Sequence, residues 1–517
     1  MHRSLYDAFC QTASEQADKV AWIVPEVHST RTIRWSELKQ NVDRLALWLA
    51  KNGLQASDRV VNLEPNSEHW AMLDLACSAL GAIHSPIDPR WHDQQIAWAI
   101  ESLEPQAVFS CCGMGLSSRN SIPIARALEQ ATVLPQGATV RQWQDSVCRN
   151  QTATILWTSG TSANPKGVML SHGNLLTNSM AKLDAMPQSP QDVRLNLLPF
   201  AHAYARTCEL TAWLLSGHAM ACAPSAQRLI EIAKIVRPTL INAVPSAYDY
   251  WLQLAQSHRN HLEPSGSLRS FFGGAIRQLA SGGAAIRNSI REQFAAESLP
   301  IFQGYGLTEA SPVVCSNRAP REHAGRTLPA VMDGVGTPVE GVEVRIDSGQ
   351  RLWVRGPGLM QGYWHDEQAT ELRVRDGWLD TGDTASTDVA DSSNPTEQPQ
   401  CIRLSGRADD LQVLCNGHKF APLVLEQLIE QIDPVAQCVV VGADRRRPLA
   451  ILCLKPDSKI PESLLLEQIQ RVLANQPDHL QIAQLVVCHE PWTPENGLRH
   501  WKGGVNRKEI ARRFAPQ

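Results

Sequence analysis

The pattern of apolar and polar positions in the first third of the chain alternates between helix-like and strand-like segments. Residues 35–50 carry apolar side chains three or four positions apart, which predicts an amphipathic helix. Residues 58–63 predict a turn and a short buried strand, and residues 69–80 predict a second helix that ends at Gly81. Because helices and strands alternate, we expect a layered α/β domain with largely parallel strands.

This alternation continues to about residue 310, and the pattern then changes. Residues 194–198, 239–244 and 299–302 predict short buried strands in the first part of the chain. Beyond about residue 330, residues 342–346 and 351–355 alternate with a period of two between Gly-containing turns. That period predicts a β-rich subdomain over about 330–408.

The last part of the chain has an alternation of its own. Residues 388–400 are polar and contain proline, which predicts a surface loop. Beyond residue 411, strands are predicted at 439–442 and 449–454, and helices at 423–432 and 462–474. A segment of roughly 100 residues is long enough for a small separate domain.

Composition excludes several functional classes. The 517 residues include 48 Lys and Arg against 52 Asp and Glu, a net charge of −4, so we expect no nucleic-acid binding through bulk positive charge. Because no apolar run reaches the length of a membrane span and residues 1–16 contain no apolar segment, we expect neither a membrane-spanning helix nor a secretory signal. The 13 cysteines form no Cys-x-x-Cys pair, which favours reduced thiols and a cytoplasmic protein over disulfides or a zinc site.

A Gly/Ser/Thr-rich segment at residues 158–168 follows the apolar run 154–157. Small residues and hydroxyl groups allow backbone N–H groups to converge on an anion, and Lys166 adds a cation. The segment does not match the phosphate-loop pattern GxxxxGK[ST], because Pro165 and Gly167 occupy two of its required positions. The sequence therefore leaves two interpretations, an anion-binding loop of another kind and an ordinary surface turn.

A second segment, residues 303–309, follows the strand predicted at 299–302. It places a hydroxyl beside a carboxylate, so that Thr308 is a candidate for a phosphate contact and Glu309 for a hard cation such as Mg²⁺. The alternative is a solvated or helix-capping glutamate, and a single Gly-Tyr-Gly turn does not decide between them.

Four motifs in a fixed order make a specific resemblance. Residues 158–167 (TSGTSANPKG), 304–309 (GYGLTE), 376–383 (DGWLDTGD) and 406–410 (GRADD) resemble the adenylate-forming family, which includes acyl- and aryl-CoA synthetases, peptide-synthetase adenylation domains and firefly luciferase. The resemblance extends from about Leu38 to Ile510. Within the family, the chain is similar to the long-chain fatty acyl-CoA synthetase branch, and the segments that carry this similarity are residues 198–207, 411–422 and 492–498.

The resemblance implies a two-domain enzyme. A large N-terminal domain of layered α/β sheets would cover residues 1–408, and a small mobile α+β domain would cover residues 409–517. The family rotates its C-terminal domain about an aspartate that matches Asp410, and the lysine that usually precedes it is Asp409 here. A rotation of this kind needs only a few residues that absorb changes in φ and ψ.

The resemblance also assigns roles to single residues. Glu309 is the Mg²⁺ ligand, Thr308 contacts the α-phosphate, Tyr305 stacks on adenine and Asp383 binds the ribose hydroxyls. The residues implied in ATP and AMP binding are Thr158, Ser159, Gly160, Thr161, Ser162, Lys166, Gly283, Ala284, Ala285, Gly304, Tyr305, Gly306, Thr308, Asp383 and Arg407.

Three further residues have both a functional and a structural interpretation. The family position that matches His202 borders the acyl and pantetheine region, which makes His202 a catalytic candidate, although a structural histidine is the alternative. Tyr248 either borders an acyl tunnel or packs in a core. Arg206 is a candidate for an ion pair.

The lysine that drives adenylation in this family lies near the C-terminus. An ungapped alignment with the long-chain branch places Gly504 in its column, and Lys502 lies two residues earlier. A local shift in the Gly503-Gly504 loop allows Lys502 to serve, because glycines permit unusual turns and a lysine side chain is long. The alternative is that the lysine is missing and adenylation is impaired.

The predicted function is ATP-dependent activation of a fatty acid to acyl-AMP with release of pyrophosphate, followed by thioester formation with CoA. ATP, Mg²⁺ and CoA are the expected cofactor and co-substrates. Two alternatives stay open: a fatty acyl-AMP ligase that loads an acyl carrier protein, and a catalytically impaired nucleotide- or acyl-binding relative. We expect a cytoplasmic enzyme without a nucleic-acid partner and with at most peripheral membrane contact; acyl chain length and oligomeric state are not predicted.

Overall fold

A computed structural model gives the structure of the protein. It describes residues 2–26, 29–111, 121–133, 140, 143, 146–158, 165–261, 267–323, 326–328, 330–387, 401–410, 412–416, 418–442, 445–455, 458, 460–493, 495–499 and 504–515. The predicted loop at 388–400 lies outside the described residues.

Two large sheets form the body of the first 363 residues. In the part of the chain that the structure describes, the first sheet has nine strands, with a parallel centre and antiparallel edges. In spatial order the strands are Thr337–Pro338, Val313–Ser316, Ile301–Gly306, Gln278–Ser281, Leu240–Ala243, Val193–Asn196, Ala219–Cys222, Val20–Pro25 and Thr30–Arg34.

The second sheet has six strands among the described residues. Four of them are parallel, and an antiparallel hairpin arm and a two-residue strand complete one edge. In spatial order they are Gly362–Tyr363, Lys166–Ser171, Thr152–Thr158, Ile83–Pro86, Arg59–Asn62 and Ala107–Phe109.

Smaller sheets follow along the chain. An antiparallel sheet contains Glu343–Ile346, Arg351–Arg355, Trp378–Thr387, Val374–Arg375 and Ile402–Arg407. The C-terminal region is built on Val435–Val441, Leu449–Leu454 and Gln484–Cys488. Two short hairpins are formed by Arg321–His323 with Arg326–Leu328 and by Gln412–Val413 with Lys419–Phe420.

Helices connect the strands and cover the sheets. The α-helices are Leu5–Glu15, Trp35–Lys51, Glu68–Leu80, Asp93–Leu103, Ile124–Ala131, His172–Ala185, Ala203–Ala205, Ala212–Ser216, Ala226–Val236, Pro245–His261, Leu268–Phe271, Asn288–Ala296, Glu367–Arg373, Pro422–Ile429, Glu462–Val472 and Arg507–Phe514. Short 3₁₀ helices occur at Thr308–Ala310, Ala408–Asp410 and Asp478–Leu480, and a π-helix occurs at Arg206–Thr211. Within the described ranges, no helix combines the length and the apolar character needed to cross a membrane.

The helix Glu68–Leu80 shows how the sequence sets its own boundaries. The hydroxyl of Ser67 accepts a hydrogen bond from the backbone N–H of Trp70 and so caps the N-terminus. Gly81 adopts φ = 70° at the C-terminus, a left-handed conformation that costs glycine little. The helix end expected at Gly81 is therefore confirmed.

Buried aromatic and aliphatic side chains fill the space around this helix. Trp35 stacks on Trp213 at a centroid distance of 4.6 Å, and Trp22 meets Trp213 edge-on at 5.4 Å. These rings are 1% exposed or less, so they pack one continuous core between helices and sheet. Tyr248 is fully buried and packs edge-on against Trp251, which agrees with its interpretation as a core aromatic.

A buried ionic cluster crosses the same core. Both oxygens of Asp74 accept hydrogen bonds from Arg206 at 2.8 Å, and the Nδ1 atom of His84 lies 2.8 Å from Asp74 Oδ1. The three side chains are at most 4% exposed, so their charges are compensated by one another rather than by water. The ion pair predicted for Arg206 is thus present, and its partner is Asp74.

His172 lies beside this cluster and should make stability depend on pH. Its Nδ1 atom accepts a hydrogen bond from the Leu5 N–H at 3.3 Å, and burial lowers its pKa from 6.5 to about 4. As the pH is lowered, His172 therefore becomes protonated near pH 6.5 in the unfolded chain but only near pH 4 in the folded protein. We expect a loss of up to about 3 kcal/mol from this group as pH falls from 6.5 to 4.

Thermal unfolding of the wild type and of His172→Asn at pH 7 and pH 4.5 measures this loss. Asparagine offers an oxygen to Leu5 and does not titrate, so the variant should lose less of its unfolding temperature on acidification. The exposed His92, changed to Asn, is the matched control and should behave as the wild type. An equal acid-induced loss in all three proteins would contradict the role of His172.

Candidate active site

The Gly/Ser/Thr segment connects the two arms of a β-hairpin. Residues 152–158 pair antiparallel with residues 166–171, and Thr158 lies opposite Lys166 at the closing end. The hydroxyl of Thr158 donates to the Lys166 carbonyl at 3.4 Å. The expected loop residues Ser159, Gly160, Thr161 and Ser162 lie outside the described residues, so the structure places only the two residues that flank them.

The Gly-Tyr-Gly segment is part of a strand, and the expectation that it forms a turn after the strand at 299–302 is wrong. The strand runs from Ile301 to Gly306 because residues 304–306 pair with the antiparallel strand Val313–Ser316. The backbone approach is close at Gly306, where a Cβ atom would lie 1.9 Å from the carbonyl oxygen of Pro312. Only glycine fits at position 306, and the strand is followed directly by a turn.

That turn is the 3₁₀ helix Thr308–Ala310, and it buries a carboxylate. Glu309 is 8% exposed, and its Oε1 atom accepts a hydrogen bond from the Tyr363 hydroxyl at 2.7 Å. Its backbone carbonyl accepts from the Met360 N–H at 2.8 Å. Thr308 is half-buried immediately before it. Side chain and backbone of Glu309 are therefore both held by the segment at residues 360–363.

Glu309 fits a cation that is bound together with phosphates better than one held by protein alone. Within the described part of the chain, no three His, Cys, Asp or Glu side chains are grouped closely enough to hold a metal ion. Mg²⁺ in nucleotide sites commonly has one or two carboxylate ligands, with phosphate oxygens and waters as the others. A single buried carboxylate with a fixed orientation meets that requirement.

A second carboxylate, Asp383, lies at the centre of a hydrogen-bonded group. Its Oδ2 atom accepts from the Tyr305 hydroxyl at 2.5 Å and its Oδ1 atom from Arg407 Nη1 at 3.0 Å. Asp383 and Arg407 are directly paired across neighbouring antiparallel strands, so sheet register brings them together. Burial raises the pKa of Asp383, while Arg407 and Tyr305 oppose that effect. Each carboxylate oxygen keeps a free acceptor position, which suits ribose hydroxyls.

The segment Gly283–Ala285 lies at the same edge of the sheet as Tyr305. It follows the strand Gln278–Ser281, which runs parallel to Ile301–Gly306 with Ser281 opposite Gln303. Gly283 has φ = +82°, and all three residues of the segment are exposed. The strand register thus places Gly283, Ala284 and Ala285 beyond the same end of this parallel pairing as Gly304 and Tyr305.

His202 belongs to a separate polar group. Its Nε2 atom lies 3.4 Å from Asp88, which also accepts two hydrogen bonds from the Arg90 guanidinium at 2.9 and 2.6 Å. Burial opposes the ionisation of Asp88, but the hydrogen bonds from Arg90 and His202 outweigh it and hold its pKa well below the usual range. Among the described contacts, none joins His202 to Glu309 or Asp383.

The C-terminal candidates are only partly described. Asp410 is exposed and is the last residue of the 3₁₀ helix Ala408–Asp410. This helix begins directly after Arg407. Lys502 lies outside the described residues, and Gly504 is exposed. The helix that follows Gly504 is anchored by Arg507, whose guanidinium makes two contacts with the Glu426 carboxylate, one of them at 2.8 Å.

Three neighbours of the site have no recognisable signal in the sequence. Tyr363 contacts Glu309, Asp366 lies 3.4 Å from the Lys166 ammonium group, and Arg373 donates to the Thr381 carbonyl at 3.4 Å. All three come from residues 362–373, where the strand pattern of the β-rich region is interrupted. That interruption is the one clue available for Tyr363 and Asp366, whose contacts join distant parts of the chain, whereas the contact of Arg373 with Thr381 spans eight residues.

The chain matches known proteins over nearly all of its length. Residues 9–364 match the family model of the AMP-binding enzyme, and residues 409–517 match that of the AMP-binding enzyme C-terminal domain. The chain is 26% identical over 486 residues to long-chain-fatty-acid–CoA ligase FadD15 of Mycobacterium bovis, covering 82% of this chain and 77% of that one. It is 24% identical to long-chain-fatty-acid–[acyl-carrier-protein] ligase AEE15, chloroplastic, of Arabidopsis thaliana, covering 96% and 83%.

Solved structures share the fold. O-succinylbenzoate coenzyme A synthetase (MenE) from Bacillus subtilis, in complex with AMP, superposes with a TM-score of 0.75 at 20% identity, covering 98% of each chain. The predicted mixed α/β fold, with a large N-terminal and a smaller C-terminal domain, is thereby confirmed as that of an adenylate-forming enzyme. The chain belongs to the AMP-binding enzyme family, which confirms the resemblance carried by its motifs.

Proposed function

We propose that this protein is an acid–thiol ligase that activates a fatty acid with ATP, releases pyrophosphate and transfers the acyl group from AMP to CoA. The observation that carries the proposal is the pair of carboxylates, buried Glu309 and half-buried Asp383, each held by a tyrosine hydroxyl. One carboxylate suits a phosphate-bound cation and the other a ribose. The similarity to FadD15, a long-chain-fatty-acid–CoA ligase, supports the acyl class.

The first half-reaction brings a carboxylate anion to the α-phosphate of ATP, so compensation of charge is its main requirement. Thr158 and Lys166 hold the two ends of the loop proposed to enclose the triphosphate, and Arg407 adds positive charge at the ribose side. Glu309 would hold Mg²⁺, which when bound neutralises phosphate charge. Asp383 fixes the ribose, and with it the direction in which the α-phosphate faces the incoming acid.

The C-terminal domain would complete the site. We propose that the boundary lies at residues 408–409, that Asp410 acts as the hinge and that Lys502 supplies the cation that bridges the acid and the α-phosphate. Lys502 is the lysine nearest to Gly504 on its N-terminal side, and Gly503 lies between them in the sequence. Glycines at both positions permit backbone conformations that extend the reach of the lysine.

A pyrophosphate-exchange assay with carboxylic acids of increasing chain length tests the proposal. The wild type should exchange pyrophosphate into ATP with at least one fatty acid, and Lys502→Ala should reduce the exchange by about 10²- to 10³-fold. Lys508→Ala is the matched control, because this lysine is exposed on the following helix and should not affect exchange. The proposal fails if the wild type shows no exchange with any acid from short to long chain. Equal exchange in Lys502→Ala and the wild type removes Lys502 from the reaction.

A second candidate is a fatty acyl-AMP ligase that loads an acyl carrier protein. It is favoured by the similarity to AEE15, a ligase for which an acyl-carrier-protein acceptor is named and which the chain matches over 96% of its length. Formation of AMP with free CoA and with a carrier protein bearing phosphopantetheine distinguishes the two candidates. If AMP is released only when the carrier protein is present, the carrier protein and not CoA is the acyl acceptor. In either case we propose a cytoplasmic location.

A further inference from the structure

We propose that Tyr363 is a positioning residue that orients Glu309 toward a phosphate-bound divalent cation and holds Lys166 in the same rigid group. This inference rests on the proposed function, because it concerns the nucleotide–metal step of that reaction. It assigns a role to a residue outside the motifs that identify the family here. The strand Gly362–Tyr363 would then preset the geometry of two charged groups before ATP arrives.

The contact with Glu309 is direct and directional. The Tyr363 hydroxyl donates to Oε1 of Glu309 at 2.7 Å, so one carboxylate oxygen is committed and the direction of Oε2 is fixed. Glu309 is 8% exposed, and its backbone carbonyl is held by Met360 N–H at 2.8 Å. A ligand carboxylate that is already hydrogen-bonded loses less freedom when it binds a cation.

The same ring contacts the lysine of the proposed triphosphate loop. Lys166 Nζ lies 5.0 Å from the centroid of the Tyr363 ring, within the range of a cation–π interaction, and 3.4 Å from Asp366 Oδ2. Lys166 is the loop-closing residue of its hairpin, opposite Thr158. A single side chain thus touches both the metal carboxylate and the end of the loop.

Backbone pairing makes this group rigid. Tyr363 pairs with Val168 in the second sheet, and the Trp364 N–H donates to the Gly167 carbonyl at 2.7 Å. At Gly167, a Cβ atom would lie 2.9 Å from Ile155 and 3.2 Å from Trp364, so the strands are closely packed. Lys166 and Tyr363 consequently move as parts of one sheet.

Arg373 extends the group toward the ribose site. Burial alone would lower the pKa of Arg373. A hydrogen bond to Tyr363 and the charge of Glu309 outweigh burial and raise this pKa above its ordinary value. Its guanidinium and that of Arg407 both contact the Thr381 carbonyl at 3.4 Å. Gly382 makes room for both, because a Cβ atom there would lie 2.9 Å from Arg407 and 3.1 Å from Arg373.

The test uses Tyr363→Phe, which keeps the ring and the strand and removes only the hydroxyl. Binding of Mn²⁺ in the presence of α,β-methylene-ATP, followed by electron paramagnetic resonance, should weaken by about tenfold. The Mg²⁺ concentration for half-maximal pyrophosphate exchange should rise by a similar factor, while the KM for the acid stays unchanged. Tyr250→Phe is the matched control and should bind Mn²⁺ as the wild type does, since Tyr250 lies on the helix Pro245–His261, away from these contacts.

A double-mutant cycle tests the link to the loop. Tyr363→Phe and Lys166→Met should each weaken binding of Mn²⁺ with α,β-methylene-ATP, and their combined effect should differ from the sum by more than experimental error. Strict additivity overturns the coupling, and unchanged Mn²⁺ affinity in a Tyr363→Phe protein with a wild-type unfolding temperature overturns the positioning role. Failure of the wild type to bind Mn²⁺ with the nucleotide analogue or to exchange pyrophosphate instead overturns the proposed function. If Tyr363→Phe unfolds at a lower temperature, Mn²⁺ affinity is compared at a temperature at which both proteins are folded, and an affinity equal to that of the wild type still overturns the positioning role.

Discussion

Glu309→Gln is expected to reduce metal-dependent pyrophosphate exchange by about 10²- to 10³-fold, while the protein remains folded. Glutamine preserves the size of the side chain and can still accept a hydrogen bond from Tyr363, but it has lost the negative charge. Mg²⁺ is a hard cation that prefers charged oxygen ligands, so the affinity for the phosphate-bound ion should fall with that charge. The measurement is exchange activity as a function of Mg²⁺ concentration.

The control for this prediction is Glu340→Gln, an identical change at an exposed turn. It should leave both the exchange rate and its Mg²⁺ dependence unaltered. Thermal unfolding of both variants separates a local effect on catalysis from a loss of structure. Wild-type turnover in Glu309→Gln would show that this carboxylate does not serve the cation.

Of the single substitutions considered, Asp74→Ala should lower the free energy of unfolding most, by about 3–5 kcal/mol. Asp74 accepts both hydrogen bonds from Arg206 and lies 2.8 Å from His84 Nδ1, all within the protein core. Removal of the carboxylate leaves a guanidinium ion buried without its counter-charge. Urea titration followed by tryptophan fluorescence measures the change, because Trp22, Trp35 and Trp70 lie in the same core.

Two comparisons give this prediction its specificity. The double variant Asp74→Leu with Arg206→Met removes both charges and should recover most of the stability that Asp74→Ala loses. Asp433→Ala breaks a surface ion pair with Lys455, in which the aspartate is 95% exposed, and should cause no measurable change. Equal losses in the double variant and in Asp74→Ala would show that packing, and not the unpaired charge, dominates.

Local sequence patterns predicted the elements that depend on local interactions. The strands at 351–355 and 449–454 have the predicted bounds, and the helix predicted at 35–50 ends one residue later, at Lys51. Periodicity alone could not show that Gly304–Gly306 continues a strand, because that depends on pairing with Val313–Ser316. Nor could it show that the strand Gly362–Tyr363 leaves the β-rich region and joins the second sheet.

In the candidate site too, some residues could be predicted from local sequence and others depend on how the chain folds. Ordered motifs predicted Glu309, Asp383 and Arg407 as site residues, and the structure places Asp383 with Arg407 through strand register. The supporting contacts of Tyr363, Asp366 and Arg373 were missed. Those of Tyr363 and Asp366 join segments far apart in sequence, and they depend on the sheet that unites residues 166–171 with 362–363. The contact of Arg373 with Thr381 spans eight residues and joins a helix to a strand, which the pattern of apolar positions does not encode.

The cross-strand pair of Asp383 and Arg407 has a mechanical consequence for the C-terminal domain. Arg407 is the last residue of its strand, and the turn Ala408–Asp410 begins at the next position. The chain is therefore held by the carboxylate of Asp383, the proposed ribose ligand, immediately before the point where the proposed rotation begins. That rotation, if Asp410 is its axis, would begin three residues after Arg407, so a large swing of the domain would displace the proposed ribose contacts very little.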